Sequence, residues 1–314
     1  VFTRAQIVDG SMPELHPPTT VVVEGGRIVS VGEKTPQGGT HIDVFGKTLL
    51  PGLIDAHVHV VASNVNFLTN ASEPDALVAH RAAHIMRGML MRGFTTVRDV
   101  GGATSGLERA RELGLFEGSR LVICGKALGQ TGGHTDFRGR YDGREAFHDR
   151  LGSLGRICDG VDDVRKAARE EIKAGATFIK IMANGGVASP TDPIHFLGFS
   201  RDEICAVVEE AKNAGTYVSA HLYTDEAIRR AIECGVHSLE HCNLITYETA
   251  AFANKNRCIA VPTLVTYDAL AREGEQLGLP KDSVKKIESV RLQGLESISI
   301  MRNAGLPMAY GSDL

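Results

Sequence analysis

The sequence predicts an α/β fold, a (β/α)8 TIM barrel preceded by a small β layer, and three observations lead there. Residues 51–314 carry eight short apolar or β-branched runs, most of them separated by longer amphipathic stretches. Alternation of that kind indicates a parallel sheet, and eight is the number of strands at which such a sheet closes on itself. Residues 1–50 are instead rich in short β signals. No G-x-G-x-x-G or G-x-x-x-x-G-K-[ST] follows any of the runs, so a doubly wound nucleotide-binding sheet, the competing architecture, loses its main support.

In chain order, Val21-Val22-Val23 and Arg27-Ile28-Val29-Ser30-Val31 flank Glu24-Gly25-Gly26, a Gly-rich turn suited to close a hairpin. Pro51-Gly52 marks the change of texture, which sets the boundary between a β layer over 1–50 and a barrel over 51–314. The barrel strands are expected at Leu53 to His59, Phe94 to Asp99, Arg120 to Gly125, Thr177 to Ala183, Tyr217 to His221, Val236 to His241, Cys258 to Pro262 and Leu306 to Gly311. Helices are expected at Ala76 to Met91, Val164 to Ala174, Ile204 to Ala214, Asp225 to Cys234 and Asp282 to Asn303. Ser200-Arg201-Asp202-Glu203 is a capping box, and Val207, Val208 and Ala211 continue the apolar face after Ile204. Residues 131–160 and 184–198 lack clear periodicity. They follow strands three and four, where a barrel keeps its site-forming loops.

The composition of the 314 residues, with 43% hydrophobic, 23% charged, 35 Gly and no Trp, is that of a globular protein and excludes a disordered or collagen-like chain. Thirty-four basic against 38 acidic residues leave a net charge of −4, too small to call for nucleic acid or an acidic membrane. Small molecules are the favoured ligands. No run approaches the about 18 to 20 apolar residues of a membrane span, and Val1-Phe2-Thr3-Arg4 lacks the order of a signal peptide. Cys124, Cys158, Cys205, Cys234, Cys242 and Cys258 are widely spaced without a C-x-x-C pair, which suits free thiols in a reducing compartment and a cytoplasmic protein. The sequence stops one residue after Asp313, before an eighth helix, and reads as part of a longer chain.

The chemistry concentrates at the strand ends. In His57-Val58-His59 the imidazoles lie at i and i+2, so both point the same way and can reach one ion. Lys180 stands in the apolar strand Phe178-Ile179-Lys180-Ile181-Met182, where a charge is costly to bury without a partner. His221 and His241 end strands five and six, and Asp313 follows strand eight. In a barrel those ends converge on one mouth, so residues remote in sequence assemble into a candidate metal site. By contrast His80 and His84, although spaced i and i+4, have no following Glu and fall on an outer helix. Asp55 is expected to hydrogen-bond a ligand imidazole. Arg98 and Asp99 are expected either at the mouth or in an ion pair, and Gly185-Gly186 either against a ligand or in a plain turn.

Pro51-Gly52-Leu53-Ile54-Asp55-Ala56-His57-Val58-His59, Lys180, the strand-end His221 and His241, and Gly311-Ser312-Asp313 together resemble the amidohydrolase superfamily of metal-dependent hydrolases. Thr131-Gly132-Gly133-His134 and His221-Leu222-Tyr223-Thr224 look closest to its branch of Xaa-Pro dipeptidases (prolidases) and imidazolonepropionase-related proteins. The resemblance implies two divalent metal ions, Zn2+ first among them: His57, His59 and Asp313 hold one, His221 and His241 the other, and Lys180 bridges them as a carbamate formed with CO2. Independently, an ammonium has no lone pair and repels a dication, whereas a carbamate supplies anionic oxygens. An unmodified Lys180 paired with a carboxylate is the alternative.

The same resemblance implies hydrolysis of an amide by a water activated between the ions, with Asp313 passing the proton to the leaving amine and with Tyr223 and His134 facing the oxyanion. It further implies a dipeptide or other small substrate, with Arg98 or Arg140 available to a free carboxylate, and a homo-oligomer. Residues 1–50 become part of a small β-sandwich completed from beyond the C-terminus. Three alternatives stand beside the dipeptidase: a cyclic-amide hydrolase, a deaminase, and a noncatalytic barrel scaffold. The deaminase relatives carry a Glu three residues after the strand-five histidine, where this chain has Thr224. The scaffold is disfavoured because all six ligand positions hold competent residues.

Overall fold

In the computed structural model, which describes residues 1–10, 17–32, 34–279 and 281–313, Glu24 lies opposite Arg27 and leaves Gly25 and Gly26 with φ of 55° and 75°. That is a two-residue hairpin turn of the kind glycine permits. It joins β2 (Thr19–Glu24) to β3 (Arg27–Gly32). With β1 (Phe2–Ile7), β4 (Ile42–Asp43) and β5 (Thr48–Leu49) they form a five-stranded sheet in the order β3-β2-β1-β4, with β5 also on β1. This sheet belongs to the first of two units, Val1–Leu53; the second is Ile54–Leu314.

From its second residue onward β6 (Leu53–Val58) belongs to the second unit, followed by α1 (Phe67–Ser72), α2 (Asp75–Met91), β7 (Phe94–Asp99), α3 (Ser105–Glu112), β8 (Arg120–Ile123), β9 (Ala127–Gly129), β10 (Gly155–Ile157) and α4 (Val161–Lys173). The unit continues through β11 (Ile179–Met182), α5 (Arg201–Asn213), β12 (Val218–Thr224), α6 (Asp225–Cys234), β13 (Ser238–Leu244), α7 (Tyr247–Lys255), β14 (Ile259–Val261), α8 (Leu264–Glu273) and α9 (Lys281–Asn303). Strands β6-β7-β8 make one sheet and β10-β9-β11-β12-β13-β14 another. β7 pairs with β8, and β9 with β10 and β11, β11 with β12, β12 with β13 and β13 with β14, all in parallel, so the α/β class with parallel sheets stands.

Within β11 alternation sorts the side chains: Ile179 and Ile181 pack with Val164, Ala168, Val207 and Ile228 of the covering helices, while Lys180 and Met182 face a cavity on the other side. Each fully buried aliphatic side chain is worth about 1.5–3 kcal/mol, which fixes the register that aims Lys180 inward. The capping box at α5 forms, and Glu203 additionally accepts the Gly160 N–H at 2.7 Å.

The structure departs from the expected elements in four places. The third run continues past Cys124 as a second strand, because Gly125 at φ 71° turns the chain where a Cβ would lie 2.1 Å from the Glu171 carboxylate. The Lys126 N–H donates to that carboxylate at 3.0 Å. Gly155–Ile157, inside the stretch read as aperiodic, pairs with the new strand. The eighth run contributes a single bridge, Ala260 with Met308, although residues 307–310 still bond Ala260 on one side and the Ala56 N–H, at 2.8 Å, on the other. Helices α1, α3, α7 and α8 are short, and in α3 Leu107 is the buried side chain, so little periodicity marks it.

Candidate metal centre and active site

His57, His241 and Asp313 offer ligand atoms that all lie within 4.8 Å of one another. Asp313 Oδ1 stands 3.2 Å from His57 Nε2 and 3.4 Å from His59 Nε2. His221 joins through ring contact with His241 at 4.7 Å between centroids, and His241 lies 4.8 Å from His57. Lys180 lines the same cavity and is 1% exposed. All six residues expected at the metal site are therefore at one place.

Each imidazole uses one nitrogen to fix its ring. His57 Nδ1 donates to Glu240 Oε2 at 2.7 Å, His59 Nδ1 to the Gly101 carbonyl at 3.0 Å and His221 Nε2 to the Gly185 carbonyl at 3.2 Å; His241 Nδ1 lies 2.7 Å from Thr263 Oγ1. Such bonds set the tautomer and leave the second nitrogen as a lone-pair donor, the usual arrangement around a metal. Burial holds His221 and His241 well below the ordinary imidazole range, and neighbouring histidines and Lys180 act in the same direction. Imidazoles crowded around a carboxylate are a donor set for a divalent ion, and the residues fit the group.

Lys180 has no hydrogen bond or ion pair among the described residues. Burial lowers its pKa, against the pull of Glu240 and Asp313, and so favours the free amine.

Strand geometry explains how the ligands meet. Along β12 and β13 the polar residues Ser219, His221, Ser238 and Glu240 recur at every second position, and His221 lies opposite Glu240. Alternation would send His241 to the other face. Positive φ at His241 (69°) and Cys242 (56°) breaks it, so that both Glu240 and His241 reach the centre. Asp313 is likewise left-handed at φ 59°, with its N–H donating to the His57 carbonyl at 2.7 Å. Non-glycine residues held at positive φ are uncommon and cluster at functional sites.

Glu240 had no role assigned from sequence. Wholly buried, it accepts from His57, from Arg98 Nη2 at 2.6 Å and from the hydroxyls of Ser219 and Ser238 at 2.6 Å. Burial alone would raise its pKa, but Arg98 and His57 hold it well below the ordinary range. Arg98 thus makes the ion pair. Asp99 sits apart from it, accepting the N–H groups of Val60, Gly101 and Ala103.

Asp55 is a correction: its carboxylate accepts the N–H groups of His57 and Ser312 and the Ser312 hydroxyl, so it braces the backbone of the two ligand segments instead of an imidazole. Gly186 is resolved too, since a Cβ there would lie 1.8 Å from the His134 ring. His80 and His84 share a separate surface depression with Ser63 and Arg81, and Arg140 is exposed and outside the cavity lining.

Tyr223 and His134 line the cavity with the ligands. The Tyr267 hydroxyl, unforeseen in sequence, donates to the Tyr223 hydroxyl at 3.0 Å. His134 stacks on His221 with ring centroids 4.1 Å apart, and its Nδ1 lies 2.6 Å from Ser189 Oγ. Burial, with Lys286 and Lys180 nearby, pushes His134 down to about 3, so its ring is neutral. Asp192, 3.7 Å from His134 Nδ1, is raised to about 6 by burial. Asn184 ties the loop after β11 to β12: its Oδ1 accepts the N–H groups of Tyr223 and Thr224 at 2.7 and 2.8 Å. The cavity, about 530 Å3, is otherwise walled by apolar side chains such as Phe67, Phe137, Val187 and Leu270.

Parallel strands that bring two strand-one histidines, a strand-four lysine, two further strand-end histidines and a terminal aspartate together define a class, and the chain belongs to it: the amidohydrolase family, whose sequence profile matches residues 48–314. Among solved proteins it is similar to an amidohydrolase at 52% identity and a TM-score of 0.97. A prolidase solved with N-methylphosphonate-L-proline is similar at 50% identity and a TM-score of 0.97. Either alignment covers 100% of this chain and 78% of the other. Ochratoxinase of Aspergillus niger is 33% identical over 278 residues, 84% of this chain and 58% of the enzyme. The chain thus spans just under three fifths of that relative's length. Among the described residues no helix is long and apolar enough to cross a membrane.

Proposed function

We propose that this chain carries the catalytic centre of a metal-dependent hydrolase of small amides, acting on dipeptides of the Xaa-Pro type, in a (β/α)8 barrel that closes through residues 306–313, with residues 1–50 as one layer of a β-sandwich. The observation that carries the reading is the convergence of His57, His59, Lys180, His221, His241 and Asp313 on one cavity, with four rings each pinned through one nitrogen. His57, His59 and Asp313 would hold one divalent ion, His221 and His241 a second, and Lys180, carboxylated by CO2, both. When bound, such ions, Zn2+ being the first choice for imidazole and carboxylate donors, polarise a carbonyl and make water acidic.

The chain's own groups do the rest. Asp313 stands beside the ligand nitrogens, takes the proton of the attacking water and returns it to the leaving nitrogen. Tyr223 accepts a hydrogen bond from Tyr267, so its own O–H is directed elsewhere and is available to the substrate carbonyl oxygen. His134 supplies the second donor from across the cavity. The apolar walls exclude water and favour a small apolar substrate.

The 50% identical prolidase supports an Xaa-Pro substrate, and the presence of Lys180 weighs against a deaminase. Thr224 weighs the same way: its hydroxyl caps α6 by accepting the Ala227 N–H, where the deaminases have a glutamate. Incubating the protein with Xaa-Pro dipeptides, other dipeptides, N-acyl amino acids and cyclic amides side by side tests the reading. Release of proline from Xaa-Pro is the expected result. Turnover of cyclic amides alone, or ammonia release from a heterocycle, overturns the dipeptidase assignment.

A further inference from the structure

We propose that Lys286 is a positioning residue for His134, acting from α9 through the loop of residues 186–192; the inference rests on the reading of His134 as a donor to the substrate carbonyl. The loop between β11 and α5 has no regular hydrogen-bond ladder of its own, so carbonyls that it turns inward need donors from elsewhere. Lys286 Nζ meets three of them, the carbonyl oxygens of Gly186 at 2.9 Å, Ser189 at 2.8 Å and Asp192 at 2.9 Å. Three donors on a compact ammonium suit three convergent acceptors.

The residues whose carbonyls Lys286 gathers are the ones that surround His134. Gly186 lies against the ring, where any Cβ would overlap Nδ1 and Cε1 at 1.8 Å. Ser189 is fully buried with its Oγ 2.6 Å from Nδ1. Asp192 Oδ2 accepts the Gly186 N–H at 3.0 Å, which closes the loop on itself. The ring also stacks on His221. His134 is therefore held between a ligand and a loop whose shape Lys286 sets. Ser189 Oγ, 2.6 Å from Nδ1, engages one ring nitrogen, so the shape of the loop decides which nitrogen carries the proton of the neutral ring.

The test combines kinetics on Leu-Pro with NMR of 15N-histidine-labelled protein, in which the signal lost in His134→Gln identifies His134. In wild type His134 is expected as a single tautomer; in Lys286→Met it is expected to average between tautomers. Ser189→Ala, which removes one hydroxyl, should do the same and covers the case in which Lys286→Met does not fold. His134→Ala should lower kcat by about 100-fold, the size of a lost oxyanion donor. Lys286→Met should lower kcat by about 10-fold or more in wild type and add nothing in the His134→Ala background, because two changes acting through one group are not additive. Lys286→Arg, which keeps donors on the carbonyls, should recover part of the loss.

Unchanged His134 resonances in Lys286→Met, or an equal loss of kcat with and without His134, overturns the proposal. If His134→Ala keeps full kcat while Lys286→Met still frees the ring, the positioning stands and the donor role of His134 is what fails.

Discussion

Four imidazoles face one another at the strand ends, and each is tied by one nitrogen to a carboxylate, a carbonyl or a hydroxyl. The tie to Glu240 matters most energetically. A buried carboxylate stripped of a partner costs about 3–5 kcal/mol, so the four bonds to Glu240 lock His57, Arg98, Ser219 and Ser238 into one arrangement. Asp313 is different: it borders the cavity, and although burial would raise its pKa, His57 and His59 hold it well below the ordinary range. It is thus an ionised base at neutral pH. Asp313→Asn keeps an oxygen able to coordinate but loses the proton acceptor. We expect that variant to retain most of its metal by elemental analysis while kcat falls by about 100-fold or more; turnover like wild type would remove Asp313 from the proton path.

At the scale of elements, the same device appears on both site-forming loops. Lys286 gathers carbonyls of the loop after β11, and Lys126, immediately before β9, donates to the carbonyls of Arg150, Leu151 and Ser153 at 2.9, 3.5 and 2.6 Å. Leu154, the next residue, lines the cavity. Burial brings the Lys126 ammonium from its ordinary 10.5 down to about 8, against the attraction of Glu171 and Asp99. Between those values the unfolded chain holds a proton that the native protein has released. This lysine's contribution to stability therefore rises with pH from about 8 to about 10.5. Lys126→Met cannot titrate. Urea unfolding midpoints measured across that window should show wild type gaining on the variant as pH rises, and a constant difference would contradict the linkage.

For the whole molecule, the order of β and α units and the six converging residues were legible because each rests on a short-range signal: alternation in strands, periodicity in helices, and polar residues where apolar runs end. Glu240 was not, although its signal was present. Ser238 and Glu240 alternate within an apolar strand as Ser219 and His221 do, but the pairing of Glu240 with His57 spans 183 positions and exists only once the sheet forms. Asp55 misled because alternation places it on the side of His57, whereas Ser312, 257 residues away, captures its carboxylate. The break at Gly125 was hidden for a similar reason, since Glu171 causes it from α4.

The proposed centre holds two ions that together carry out hydrolysis. Hydrolysis of Leu-Pro by chelator-treated protein, followed as Zn2+ is added back in known equivalents with bound metal counted at each point, reads this out. Activity should be absent at the start, rise with added ion and level off at two equivalents bound. Hydrolysis that survives chelation, or a plateau at one equivalent, would contradict the account.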